Sequence, residues 1–397
     1  MTQETEIIRV AARGEGMTAG GRHAALAAPG DTLLSSGEVV PGPHHQVPPC
    51  RHFPRCGGCQ LQHLDDPAYA DFITDRIATA LAAQGLTTDI RAPLLSPPKS
   101  RRRATLHAER RGRQIHLGFT EEKSHALVDL QECWVLAPDL FALLQPLRGL
   151  LSVLLKGTRR AGVMLTRVDQ GVDVLIDGVE GDGLAAAEGI TAFAERHKLA
   201  RLSLDGGFGP ETRWEPEPAT ITLGGVPVPF PPASFLQATV EGEAALVDAV
   251  REAVGRAGVI ADLFAGLGTF ALSLAGARVY AAEAAREAIL SLKAAAGRAQ
   301  RHIAADHRDL YRRPLTAEEL DRFAAIVIDP PRAGARDQAE QLARSTVPVI
   351  AYVSCNPSSF ARDAKMLCEA GYRLDWIQPV GQFRWSTHVE LAARFSR

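Results

Sequence analysis

From Thr239 to the C-terminal end, apolar runs of strand length alternate with amphipathic stretches of helix length. That alternation admits little besides a doubly wound, largely parallel sheet with helices on its faces. Val240 to Ala257 predicts an entry helix, and Gly258 to Phe270 reads as strand, glycine-containing turn and helix start. Two later runs, Ala324–Ile328 and Ala351–Ser354, are short and continuously apolar, as strands buried on both faces must be. Each stops abruptly, the first at Asp329-Pro330-Pro331 and the second at Cys355-Asn356-Pro357. Ligands of open α/β sheets bind outside the carboxyl ends of the strands, so Asp329 and Cys355 are expected side by side where chemistry takes place. A free cysteine more often fills a core. Cys368, inside a helical pattern, fits that role, whereas Cys355, between a strand end and Asn-Pro, does not.

The first turn holds only Gly266 and Gly268 and lacks the full dinucleotide spacing. A second strand, Val279 to Glu283, ends in an acid about twenty residues after the first, suited to ribose hydroxyls. Adenosine is therefore expected as part of the ligand. Asp309 is placed to neighbour a base edge, or to lie on the surface.

With 397 residues and 46% hydrophobic content the chain predicts two to three globular domains. A net charge of −2 excludes a global basic field, so a polyanion needs a local patch. No apolar stretch reaches membrane-span length, and the charged residues of Met1 to Val10 are unlike a signal peptide. A cytoplasmic protein is expected.

Residues 1 to about 48 predict at most a small β-unit and a proline-rich linker. Cys50, Cys56 and Cys59 follow within ten residues, and Cys133 is the remaining candidate for a fourth thiolate outside the C-terminal half. Four thiolates suit an iron–sulfur cluster or structural zinc, and this spacing, without paired zinc-ribbon knuckles, favours iron–sulfur. Residues 66 to 85 predict one amphipathic helix with Tyr69, Phe72, Ile73, Ile77 and Leu81 facing a core. The run Lys99 to Arg103 is either a solvated face or a patch for phosphates. Antiparallel strands over Ala104–Ala108 and Gln114–Phe119, then mixed helices and strands to Thr222, predict an α+β unit lining a substrate cleft.

Together Phe235-Leu236-Gln237, Asp262 to Gly268, Asp329 to Gly334, Ser354 to Pro357 and His388-Val389-Glu390 resemble, in that order, the RNA uracil-C5 methyltransferases. The resemblance spans nearly the whole chain. It implies a C-terminal class I (Rossmann-like) methyltransferase domain at 236–397, a central α+β RNA-binding domain with an iron–sulfur cluster at 49–235, and a shortened TRAM-like β-unit with linker at 1–48. It implies S-adenosylmethionine as methyl donor, held by Gln237, Phe264, Glu283, Asp309 and Asp329. Cys50, Cys56, Cys59 and Cys133 resemble the ligands of the [4Fe-4S] members, which act on 23S rRNA. A monomer without an obligate protein partner is expected. Thr239 and Thr269 stand where the family often has asparagine, and both keep a hydrogen-bonding side chain.

Uracil C5 is too weak a nucleophile to take a methyl group unaided. The implied route is addition of the Cys355 thiolate to C6, methyl transfer to C5, and removal of the C5 proton by Glu390 with loss of the cysteine. Phe383, Trp385 and Val389 are expected to wall Glu390 and raise its pKa. The target uridine must leave its stack, with Arg332 and Arg336 near its phosphates and Phe230 either stacking or in the core. Two alternatives stay open: the same reaction on tRNA, and a non-catalytic RNA-binding assembly factor, which would have no need of Cys355 or Glu390.

Overall fold

The computed structural model describes residues 5–122, 124–155 and 160–397, so the first four residues of the expected N-terminal unit lie outside it. A small five-stranded antiparallel sheet comes first, with Thr5–Val10 at its centre and Ile7, Ala24, Ala27 and Leu33 as its core. Asp31, fully buried, ties it to the linker, accepting from the backbone N–H of Gly42 at 2.7 Å and facing His45 Nδ1 at 2.7 Å.

The central unit is a seven-stranded sheet running from Leu127–Asp129 at one edge to Glu211–Trp214 at the other. Its pairings are antiparallel except between Gly171–Asp177 and Arg201–Asp205. Helices Leu144–Leu154 and Leu184–Arg196 share its core, their leucine and alanine faces meeting Leu106, Val163, Leu165 and Val174. Phe230 is buried in the core of the C-terminal half, and its carbonyl accepts from Arg201 at 2.8 Å; it is a core residue.

In the nine-stranded C-terminal sheet the parallel strands run in the order Ile303–His307, Arg278–Glu283, Val259–Leu263, Ala325–Ile328, Val349–Ser354. The chain reverses direction of growth at Val259–Leu263, which makes the crevice above that strand and Ala325–Ile328 a topological switch point. Continuous apolarity still resolves into two faces: Ala325, Val327, Ala351 and Val353 pack in one core, Ile326, Ile328, Ile350 and Tyr352 in the other. Antiparallel strands Glu390–Ser396 and Arg373–Gly381 extend the sheet. Its far edge is finished by residues from much earlier in the chain, Asp89–Ile90 and Leu94–Leu95, both paired to Arg373–Gly381. Helix Asp66–Ala82, capped by Asp65, buries Tyr69, Phe72, Ile73, Ile77 and Leu81 in the same core as helix Pro357–Glu369. No helix among the described residues is long and apolar enough to cross a membrane.

Candidate active site

Strand Val349–Ser354 delivers Cys355 to the rim of the sheet, and the next residue starts a helix. Asn356 caps that helix, its Oδ1 accepting from Ser358 N–H at 3.1 Å, with Pro357 in the first turn. The Asn356 amide also donates to the Arg332 carbonyl at 3.0 Å, holding the loop after Asp329 against the loop carrying Cys355. The thiol is only partly buried. Burial, then the charges of Glu390 and Asp329, push its pKa up to about 11, against the opposing pull of its own backbone N–H and Arg332.

Glu390 opens strand Glu390–Ser396 and is buried at 3% exposure, and Asp329 follows strand Ala325–Ile328. Burial raises both carboxyl pKa values; for Glu390 the neighbouring Asp329 charge adds to the rise. Two glutamines join the pair. Gln237 donates to Asp329 Oδ2 at 3.3 Å, and Gln382 donates both to Gln237 Oε1 at 2.8 Å and to Glu390 Oε2 at 3.0 Å. The sequence gives no hint of Gln382, because a lone glutamine outside any spacing pattern reads as surface. Of the residues expected to wall Glu390, Trp385 packs with Cys59 and Val135, and the Phe383 ring lies 5.9 Å from that of His388.

The crevice at the switch point gathers the other cofactor candidates. Phe264, directly after strand Val259–Leu263, has φ 63°, a strained conformation for an aromatic residue, and its ring lies 5.5 Å from that of Tyr311. Glu283 accepts from Gly266 N–H at 2.9 Å and Ala285 N–H at 2.7 Å, so it braces the glycine turn from the neighbouring strand end. Asp309 accepts from Tyr311 N–H at 3.0 Å and faces Arg312 at 3.4 Å, which makes it a turn-former at the crevice rim. Asp262, not singled out from the sequence, is fully buried; Oδ2 accepts from Ala271 N–H at 2.8 Å while Oδ1 has no partner among the described residues. Burial, with Asp329 and Glu283 adding to it, raises its pKa to about 8. Three acids around one crevice suit a ligand bringing ammonium, sulfonium and ribose hydroxyl groups. Thr239 is a helix cap, accepting from Gly242 N–H at 2.9 Å, a role that asparagine also fills.

Cys355 also lines an open cavity of about 230 Å³ together with Arg13, Arg76, Glu122, Arg332 and His388. The arginines come from the N-terminal unit, helix Asp66–Ala82 and the loop after Asp329. Among the described residues none of the three has a carboxylate within ion-pair distance, and Arg76 Nε is buried without a hydrogen-bond partner. Arg336 begins the helix Arg336–Arg344 and faces Glu340 at 3.5 Å. Within the basic run at 99–103 the side chains diverge. Arg102 is buried, donating to the Gln237 carbonyl at 3.0 Å and pairing with Glu243, while Arg101 turns toward Phe383 and Arg103 covers the Phe235 ring.

Cys50, Cys56, Cys59 and Cys133 line one small cavity with Phe53 and Phe119. Gly57 N–H donates to the Thr120 carbonyl at 2.9 Å and Gln131 N–H to His52 at 2.9 Å, drawing Cys133 to the cysteine loop. Gln62 Oε1 accepts from Cys50 N–H at 3.2 Å, closing the loop from inside. Burial raises all four thiol pKa values, to about 11 for Cys56 and about 12 for Cys59, where the other thiols add to the effect. Among the described residues, no group of three or more His, Cys, Asp or Glu side chains is arranged to hold a metal ion.

Residues 230–397 match the family model for tRNA (uracil-5-)-methyltransferases. An uncharacterised RNA methyltransferase of Zymomonas mobilis is 49% identical over 394 residues, 99% of each chain. The 23S rRNA (uracil(1939)-C(5))-methyltransferase of Halomonas elongata is 34% identical over 384 residues, 89% of this chain and 77% of that protein. The chain belongs to the RNA uracil-C5 methyltransferase family. It is an S-adenosylmethionine-dependent RNA methyltransferase. The fold of this methyltransferase is shared by the tRNA (uracil-54, C5)-methyltransferase of Pyrococcus abyssi, crystallised with S-adenosyl-L-homocysteine, at a TM-score of 0.74 and 23% identity over 99% of both chains.

Proposed function

We propose that this methyltransferase modifies C5 of a uridine in 23S rRNA through a covalent bond between Cys355 and C6. The observation that carries the reading is the meeting of Cys355, Glu390 and Asp329 at neighbouring strand ends, with the thiol opening onto an arginine-lined cavity. S-adenosylmethionine, when bound, supplies a methyl group made electrophilic by its sulfonium. Gln237, Phe264, Glu283, Asp309 and Asp329 would hold it. The Cys355 thiolate adds to C6 and electron density collects at C5, which takes the methyl group. Glu390, its pKa raised into a range useful to a general base, removes the C5 proton and the C6–S bond breaks. Arg13, Arg76 and Arg332 accept the phosphates around a uridine turned out of its stack.

In this reading Cys50, Cys56, Cys59 and Cys133, which share one small cavity with apolar neighbours, would hold a [4Fe-4S] cluster. Its role in this reading is structural. Anaerobically purified protein is expected to be brown and to contain iron and acid-labile sulfide; colourless protein holding zinc defeats the assignment. The Halomonas relative supports the choice of 23S rRNA. The substrate test maps 5-methyluridine by mass spectrometry in 23S rRNA and tRNA from cells lacking the gene, complemented with wild type or Cys355→Ala. Loss of a 23S site restored by wild type alone bears out substrate and nucleophile together. Loss confined to tRNA moves the substrate to tRNA, and an active Cys355→Ala protein removes the covalent route.

A further inference from the structure

We propose that Gln382 is the positioning residue that selects which carboxylate oxygen of Glu390 takes the C5 proton, and that it sets this choice through the same amide that orients Gln237. The inference rests on the reading of Glu390 as the base.

One backbone group fixes the whole chain of bonds. Ala238 N–H points at the Gln382 side chain at 2.8 Å, and an N–H can only donate, so the atom facing it is the amide oxygen. The Gln382 amide nitrogen must then face the other way, where it meets Gln237 at 2.8 Å and Glu390 Oε2 at 3.0 Å. Its two protons are both spent, one on each. Gln237 therefore presents its oxygen to Gln382 and its nitrogen to Asp329 at 3.3 Å. Neither glutamine can flip without leaving a buried donor facing a donor, and both are 9% exposed or less. The fit is close: a Cβ at Gly242 would lie 2.6 Å from Gln382 Cβ, so a glycine in the first turn of helix Val240–Val254 makes room for this amide.

Oε2 of Glu390 is thus committed as an acceptor, and a proton arriving there would confront an N–H. Among the described residues Oε1 receives no such donor. In the resolving step Oε1 takes the proton from C5, the C5–H electron pair becomes the C5=C6 double bond, and the C6–S pair departs with Cys355 as thiolate. The same N–H offsets part of the burial that works against the charged carboxylate, keeping the base available.

The test compares full-length wild type with Gln382→Glu, Gln382→Met and Glu390→Gln, using total RNA from cells lacking the gene as substrate and S-adenosylmethionine as donor. Two quantities are followed against pH: release of 5-methyluridine-containing RNA, and protein held covalently on methylated RNA in denaturing gels. Glu390→Gln is expected to accumulate the adduct. Both Gln382 variants are expected to form it and to resolve it at least tenfold more slowly at neutral pH, with the rising limb of release moved up by a unit or more. Thermal melting and calorimetric binding of S-adenosylmethionine accompany each variant. Resolution at the wild-type rate with an unmoved limb overturns the proposal. So does a folded Gln382 variant that forms no adduct because it has lost S-adenosylmethionine binding, which would place the amide in the cofactor pocket alone. If Glu390→Gln itself turns over normally, the base assignment falls instead, whatever the Gln382 variants do.

Discussion

Cys355 in the free enzyme is expected to be a slow thiol at neutral pH. Its pKa is raised from 9.0 to about 11 by burial, Glu390 and Asp329. Two units leave roughly a hundredfold less thiolate than an ordinary cysteine has at pH 7.5. A more basic thiolate is intrinsically more nucleophilic, and a Brønsted slope near 0.45 returns roughly eightfold of that loss. Depletion wins, so exchange with a water-soluble aromatic disulfide should run about tenfold slower at Cys355 than at an exposed reference thiol. The pH profile separates the cases further. An ordinary thiol levels off near pH 9, whereas Cys355 should keep gaining about tenfold per unit through pH 10. Glu390→Gln removes one of the neighbouring charges and should speed exchange at pH 9, although it is expected to slow turnover. The assay is mass-spectrometric quantification of the modified Cys355 peptide over time. A plateau near pH 9, or no response to Glu390→Gln, would refute the electrostatic account of this site.

Arg201→Met leaves Asp173 buried without the guanidinium that now sits at 2.8 and 3.0 Å from it, and should cost about 3–5 kcal/mol in urea unfolding. Asp262 is an acid whose folded pKa is raised to about 8, so the unfolded chain ionises first and stability falls as pH rises from about 4 toward 8. Asp262→Asn should therefore gain stability relative to wild type between pH 5 and 8, read from urea midpoints of the ligand-free protein; a constant difference defeats the assignment. Arg76→Ala should lower the slope of log binding constant against log salt for RNA by about 0.7–0.9, as expected for one lost phosphate contact, with S-adenosylmethionine affinity unchanged.

The strand ends were legible because buried parallel strands are continuous apolar runs and their stops are abrupt; Asp329, Cys355 and the Asn356-Pro357 helix start stand out for that reason. Helix 66–82 was legible from its period, but not its place, since an apolar stripe does not name the surface it meets. It lies against the C-terminal sheet, next to Pro357–Glu369. The basic run was only partly legible because charge in sequence carries no direction: Arg102 points inward to a carbonyl and an acid more than a hundred residues away. Gln382 was invisible for a related reason. Its importance lies in where its two amide atoms point, and that is set by Ala238, Gln237 and Glu390, which only the folded chain brings together.

The edge of the catalytic sheet has a bearing on how the chain is made. Thr88 bonds the carbonyl of Leu374, 286 residues later, and Asp89–Ile90 and Leu94–Leu95 pair with the strand beginning at Arg373. On the ribosome these short strands emerge early and wait for almost the entire remaining chain before their partner exists. Until then helix Asp66–Ala82 lacks part of the sheet it packs against, and the methyltransferase half acquires this edge only once Arg373–Gly381 has left the tunnel.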